Sequence, residues 1–300
     1  MTYHVVSTEY GFCGNVIIVG SVCDKKPCHD AAHEAIVRRS EPSSKGIHLV
    51  AFCHSNFDPT VRYVDSPGGY SVVFNRIYAT DPADVGKEVK MGWHINPAIR
   101  NDLTDGLAIA QAIRTMREEI CARRDAMQAN GNNEDAIFGE VTIQIFFPDV
   151  KTLRAIRETR DTLIDRDRSP WDKVLGAVTD ESQALKDAGL KTTLELRWLP
   201  GRQHTIELLH RAREIAEWVR KKCKNFYRVG DFKHNGPRAE LDVSTSVFSE
   251  FQPYFLQIHK LVKEQAVKQR AARKAKKASK KNRRRQMKEN ERKRAQEAKV

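Results

Sequence analysis

Val141-Thr142-Ile143-Gln144-Ile145-Phe146-Phe147-Pro148-Asp149 is the stretch that decides the fold. Residues 141–147 form a near-continuous apolar run, the pattern of a strand buried on both faces of a sheet. The segment after it, Val150 to Asp165, places Leu153, Ile156, Leu163 and Ile164 at helical spacing, with Asp149 at its start. A strand buried on both sides that leads straight into a helix is the signature of a mixed α/β sheet.

Working outward, Trp171 to Ala188 reads as a second helix closed by Gly189. Lys191 to Leu199 alternates, with Leu194, Leu196 and Trp198 on one face and Thr193, Glu195 and Arg197 on the other. A last domain helix, Ile206 to Lys222, carries Leu208, Leu209, Ala212, Ile215, Ala216 and Val219 on one stripe. Upstream, Thr104 to Ala129 is the clearest helix, stopped by Asn130-Gly131-Asn132-Asn133. Before it, Ile47 to Cys53 and Tyr70 to Ile77 read as strands around the turn Pro67-Gly68-Gly69, with a third strand around Val89 to Ile95.

The flanks are less regular. Residues 1–45 are expected to be an N-terminal extension with one apolar strand over 16–22 and a short helical stretch from Asp30 to Arg39. Residues 226–259 contain Gly230, Gly236, Pro237 and Pro253 without a sustained period, and read as a linker. The expected organisation is thus an extension (1–45), a domain (46–225), a linker (226–259) and a tail (260–300). No internal repeat is visible.

Charge separates the modules sharply. The 300 residues carry a net charge of +13, yet residues 260–300 alone hold eighteen Lys/Arg against four Glu. The rest of the chain therefore holds 34 basic and 35 acidic groups and is close to neutral. A polycation confined to an appendage favours a polyanionic partner, because it raises encounter rate and counterion exchange without altering the core. Lys276, Lys277, Lys280, Lys281, Arg283, Arg284 and Arg285 are the densest run and the candidate nucleic-acid-binding residues, a nuclear-import signal, or both. The tail is rich in Ala, Lys, Arg, Glu and Gln but has too few apolar residues for a stripe, so it is expected to be disordered or only transiently helical.

The six cysteines are scattered, which favours reduced thiols in the cytosol or nucleus. No signal peptide is read at the N-terminus, and the longest apolar run, around Val16 to Val22, has the length of a strand and not of a membrane span. A soluble nuclear protein with no membrane partner is expected.

Four segments in order give the chain a family likeness. Leu49-Val50-Ala51-Phe52-Cys53-His54-Ser55-Asn56 leading to Gly68-Gly69-Tyr70-Ser71-Val72-Val73 resembles the first hairpin of a type 1 ribonuclease H domain. Asn101-Asp102-Leu103-Thr104-Asp105 resembles the opening of that family's long helix, Val141 to Ile156 its fourth strand and following helix, and Leu194 to Gly201 its fifth strand and Trp-x-Pro-Gly turn. The resemblance covers residues 47–222. It implies an α/β fold with a central mixed five-stranded sheet flanked by helices, here followed by the basic C-terminal tail.

It also implies a chemistry. Members of that family use converging carboxylates to hold two divalent metals that clamp the attacking and leaving oxygens of a phosphodiester. Carried onto this chain, the first-strand acid falls on His54, the helix acid on Asp105, the fourth-strand acid on Pro148 with Asp149 one residue late, and the final-helix acid on His210. Magnesium takes oxygen ligands, so two imidazoles and a proline are poor replacements. Asp105 and Asp149 are the vestigial catalytic candidates, and no set of metal ligands is assigned. Asp58, Asp65, Glu207 and Glu214 are carboxylates that a re-sited cluster would draw on, in which case magnesium would be the cofactor.

Plain structural roles compete at each position. Asp149 suits a helix N-cap, Asp105 suits a helix first turn, and His54 suits a hydrogen-bonded core or cleft residue. His210 lies off the apolar stripe and faces either cleft or solvent. Cys13, Cys23, Cys28, His29 and His33 admit a zinc reading, although no Cys-x-x-Cys pair supports it. Trp198 and Trp218 are most simply core residues. The resulting expectation is a pseudoenzyme that binds RNA or RNA–DNA hybrid through its tail. The alternatives are an active metal-dependent hybrid ribonuclease and a nuclear protein-interaction scaffold.

Overall fold

The computed structural model describes residues 11–19, 24–40, 46–57, 67–77, 82–96, 100–129, 140–159, 169–200, 206–229 and 247–297. At the centre, β2 (Gly46–Phe57), β3 (Gly68–Asn75) and β4 (Glu88–Ile95) form an antiparallel meander, with Phe57 opposite Gly68 and Asn75 opposite Glu88. On the other side of β2 lie β5 (Glu140–Phe147) and β6 (Thr192–Trp198), both parallel to it. Parallel neighbours require crossovers, and helices supply them. These are α2 (Asn101–Ala129), α3 (Val150–Glu158) and α4 (Pro170–Asp187), followed by α5 (Glu207–Lys222) after β6.

The sheet extends beyond the expected five strands. At one edge β1 (Asn15–Ile17) runs parallel to β6, and at the other β7 (Phe226–Val229) is antiparallel to β4, giving the order β1-β6-β5-β2-β3-β4-β7. The stretches read as an extension and a linker thus supply the edge strands, and α1 (Lys26–Ser40) also packs against β2. Edge strands this short carry too few residues for a period-2 pattern to register. Of the expected strand over 16–22, residues 16 and 17 lie in β1, residues 18 and 19 do not, and residues 20–22 lie outside the described residues.

Helices cover both faces. α2 packs on β2, β3 and β5 and against α4, whereas α5 packs on β2, β3 and β4. Successive residues of β2 therefore serve opposite layers. His54 pairs with Ser71 on the α5 face, where the Ser71 hydroxyl donates to the Ala212 carbonyl. Ser55 points to α2. α5 approaches the strands closely enough that a Cβ on Gly69 would lie 2.4 Å from the Ala216 carbonyl oxygen, and one on Gly92 2.6 Å from the Ile215 side chain. Only glycine permits that contact. Two stacked ring pairs fill the core: Phe52 with Phe146 at 5.2 Å and Tyr70 with Trp93 at 5.3 Å.

Helix ends follow local chemistry. Ser169 caps α4 by accepting from the Asp172 amide at 3.1 Å, and Pro170 occupies the first turn. α3 ends at Glu158, where the Thr159 hydroxyl turns back to the Ile156 carbonyl at 2.7 Å, and residues 160–165 of the expected helical stretch lie outside the described residues. The chain divides into two compact units, Met1–Gln252 and Pro253–Val300. The second is built on α6 (Val247–Glu297), a continuous helix that contains Pro253. The expected disordered or transient tail is thus helical here, in line with its composition. Among the described residues no helix is long and apolar enough to cross a membrane.

Candidate functional site

The site lies where the carboxyl ends of β2 and β5 meet the start of α2 and of α3. Clefts in α/β sheets form at such strand ends, because the chain leaves neighbouring strands in divergent directions. The end of β5 is pinned by β6. Trp198 donates its indole N–H to the Pro148 carbonyl at 3.0 Å, and the Leu199 amide donates to the Phe147 carbonyl at 3.0 Å. Asp149 follows at once in extended conformation and accepts from the Lys151 amide at 2.7 Å, capping α3.

Asp105 sits in the second turn of α2 and is only 2 % exposed. The Ser55 hydroxyl donates to its Oδ1. Its Oδ2 accepts from Asn101 Nδ2 at 3.3 Å and from the Thr152 hydroxyl at 3.4 Å. Burial pushes the Asp105 carboxyl well above the usual carboxylate range; the Ser55 hydroxyl opposes this, while the charge of Asp149 and a hydrogen bond between the two carboxyls add to it. Desolvation and a like charge both favour the neutral acid of Asp105. The two sequence candidates are thereby brought together. Asp149 is a helix cap and the partner of Asp105 at the same time.

Asp105, Asp149, Asn101 and Thr152 line a cleft of about 590 Å³, together with Phe57, Arg100, Asp102, Lys151 and Trp171. Arg100 and Asp102 pair at its mouth, Nε to Oδ1 at 3.0 Å. α2 is held in place by the half-buried Arg114 and Arg117, which donate to the buried Glu181 of α4 at 2.7 and 2.9 Å.

The other positions singled out in the sequence lie elsewhere. His54 faces α5, and burial lowers its pKa to about 4, with Arg213 adding to the effect. The residue of β2 that touches Asp105 is its neighbour, Ser55. His210 lies toward solvent on α5, 3.3 Å from Glu214, while Glu207 pairs with Arg211. Asp58 and Asp65 lie outside the described residues. Ser55 and Thr152 are the site residues that the sequence did not flag. Leu49 to Cys53 is buried on both faces, so hydrophobic alternation does not reveal which side of β2 meets α2.

Among the described residues no group of three or more His, Cys, Asp or Glu converges as a metal site. Cys13 donates to Gln183 Oε1 at 2.8 Å and Cys28 to the Val19 carbonyl at 2.6 Å, so these thiols serve different partners, and Cys23 lies outside the described residues. In α6, Lys276, Lys277 and Lys280 are exposed, and Lys281, Arg283, Arg284 and Arg285 continue the same helix.

The strand order β6-β5-β2-β3-β4 with helices on both faces defines an α/β fold built on a central mixed sheet. No family model matches the chain, and no curated protein matches it. Among solved structures it is similar to LC9-RNase H1, described as a type 1 RNase H with the type 2 active-site motif, at 14 % identity and a TM-score of 0.39 over 69 % of this chain and 85 % of that one. It is also similar to the N-terminal RNase H domain of Rv2228c from Mycobacterium tuberculosis, at 12 % identity and 0.32 over 56 % and 96 %. The third, LC11-RNase H1 in complex with an RNA/DNA hybrid, is 14 % identical at 0.32 over 58 % and 98 %. These superpositions are loose, and the reading of the cleft rests on this chain's own residues.

Proposed function

We propose that this chain binds nucleic acid, RNA or RNA–DNA hybrid, through its basic C-terminal helix, and that its ribonuclease H-like cleft has lost the two-metal chemistry. The observation that carries the second half is the Ser55 hydroxyl on Asp105. A hydroxyl occupies the place from which a strand carboxylate would have to reach a shared metal. Two magnesium ions need several anionic oxygens in near-octahedral array. Here two carboxyls meet, one of them buried and already accepting from Ser55, Asn101 and Thr152. That donor set does not fit a pair of magnesium ions, and no hydrolytic step is derived through them.

The binding half is supported by charge segregation. A neutral body with a helical polycation grips phosphates without reading bases, and such binding weakens steeply with salt through counterion release. The same run directs the protein to the nucleus. Deleting residues 260–300 should remove most affinity for labelled RNA–DNA hybrid and flatten its salt dependence. Unchanged affinity would sink this reading.

One observation favours a second reading, a metal-dependent hybrid ribonuclease: Asp149 does reach Asp105. On that reading magnesium-dependent cleavage exists and Asp105→Asn abolishes it.

A further inference from the structure

From residue 253 to the end, Ser279 is the only serine or threonine. It lies in α6 and is exposed, as are Lys276, Lys277 and Lys280 around it. Lys276, three residues earlier, shares its face of the helix. We propose that Ser279 is a phosphorylation site for a basophilic protein kinase, and that its phosphorylation loosens the tail's hold on nucleic acid. This rests on the tail-binding reading above.

The local sequence Lys276-Lys277-Ala278-Ser279 presents two cations two and three residues before the hydroxyl. That arrangement suits a kinase whose substrate groove carries paired carboxylates, since opposite charges select the register in which the hydroxyl meets ATP. A substrate must be extended in such a groove. α6 makes this cheap, because a helix held by propensity without a buried stripe opens locally at little cost. In the transfer, Ser279 Oγ bonds to the γ-phosphorus as the bond to the departing ADP breaks, and the hydroxyl proton passes to the kinase's base.

The consequence is electrostatic. A phosphoserine adds about −1.5 to −2 charges at neutral pH. Set three residues after Lys276, it forms an intrahelical ion pair with a cation that would otherwise meet a phosphate, and it lowers the net charge of the run around it. The tail then releases fewer counterions on binding, and the slope of log affinity against log salt becomes shallower by roughly one to two.

The test uses the full chain, a purified basophilic kinase catalytic subunit and ATP. Peptide mass spectrometry should place a phosphate on Ser279, and Ser279→Ala should lack it. The phosphorylated chain should bind RNA–DNA hybrid on the order of tenfold more weakly at about 150 mM salt, with the shallower slope. No phosphate on Ser279, or a phosphate with unchanged affinity and slope, overturns the inference. The 260–300 deletion separates the two claims. If it abolishes binding while phosphorylation has no effect, the tail reading stands and the switch falls; if it leaves binding intact, both fall.

Discussion

Ser55 of β2 donates its hydroxyl to the buried carboxyl of Asp105 on α2, joining the central strand to the helix that crosses it. The group that meets the Asp105 carboxyl at that point is a neutral hydroxyl donor.

The first prediction reverses it. Ser55→Asp places a third carboxyl beside Asp105 and Asp149, where burial and like charge oppose ionisation. In chelator the variant should be less stable by on the order of 2–4 kcal/mol. Magnesium should restore part of this, because a ligand that binds only the folded state stabilises it. Thermal melts with and without magnesium decide the matter; a melting point indifferent to magnesium would contradict the placement of Ser55 among converging acids.

Asp105 sets a pH dependence. Its folded pKa is raised by burial, so the stability it contributes is present at acidic pH and is lost as pH rises through the folded value. Asp105→Asn keeps the size and the hydrogen-bonding capacity without the charge. The variant should gain on the wild type in denaturant midpoint as pH rises above the ordinary carboxylate range. Parallel curves would show that Asp105 ionises without cost.

His54 acts in the opposite sense. Its pKa is lowered to about 4, so the folded protein binds fewer protons than the unfolded chain between that value and the ordinary imidazole range. Its contribution is present above about pH 6.5 and declines as pH falls toward the folded value, by on the order of 3 kcal/mol. His54→Gln should flatten the acid limb of stability against pH. An unaltered limb would mean that the imidazole is not held neutral against α5.

Trp198 anchors the turn that delivers Asp149. Trp198→Phe keeps most of the buried ring and leaves the Pro148 carbonyl without the donor it now has at 3.0 Å. A loss of about 1–2 kcal/mol is expected in urea unfolding, from one missing hydrogen bond and an unpaired acceptor. A neutral substitution would show that the strand end is fixed by packing alone.

The sequence made some of this legible for specific reasons. Val141 to Phe147 is apolar on both faces and can only be a central strand, and Asp149 stands where a cap belongs. Helix α2 has a long period and a clear stop at Asn130-Gly131. What the sequence hid has equally specific causes. β1 and β7 are three and four residues long and lie at the edges, too short for any pattern. The partner of Asp105 is one residue from where the resemblance put it, because a strand buried on both sides gives no sign of which side faces which helix. Asp149 has the strand parity of Ile145 and Phe147, which share the α2 side of the sheet with Ala51 and Ser55, so its approach to Asp105 follows the register of β5 against β2.

The most direct measurement incubates the full chain with labelled RNA–DNA hybrid, in magnesium and in chelator, and follows cleavage and mobility together. The account predicts a salt-sensitive mobility shift in both conditions and intact RNA in both. Magnesium-dependent cleavage that disappears in Asp105→Asn would contradict it, and would make the Asp105–Asp149 pair a working catalytic site.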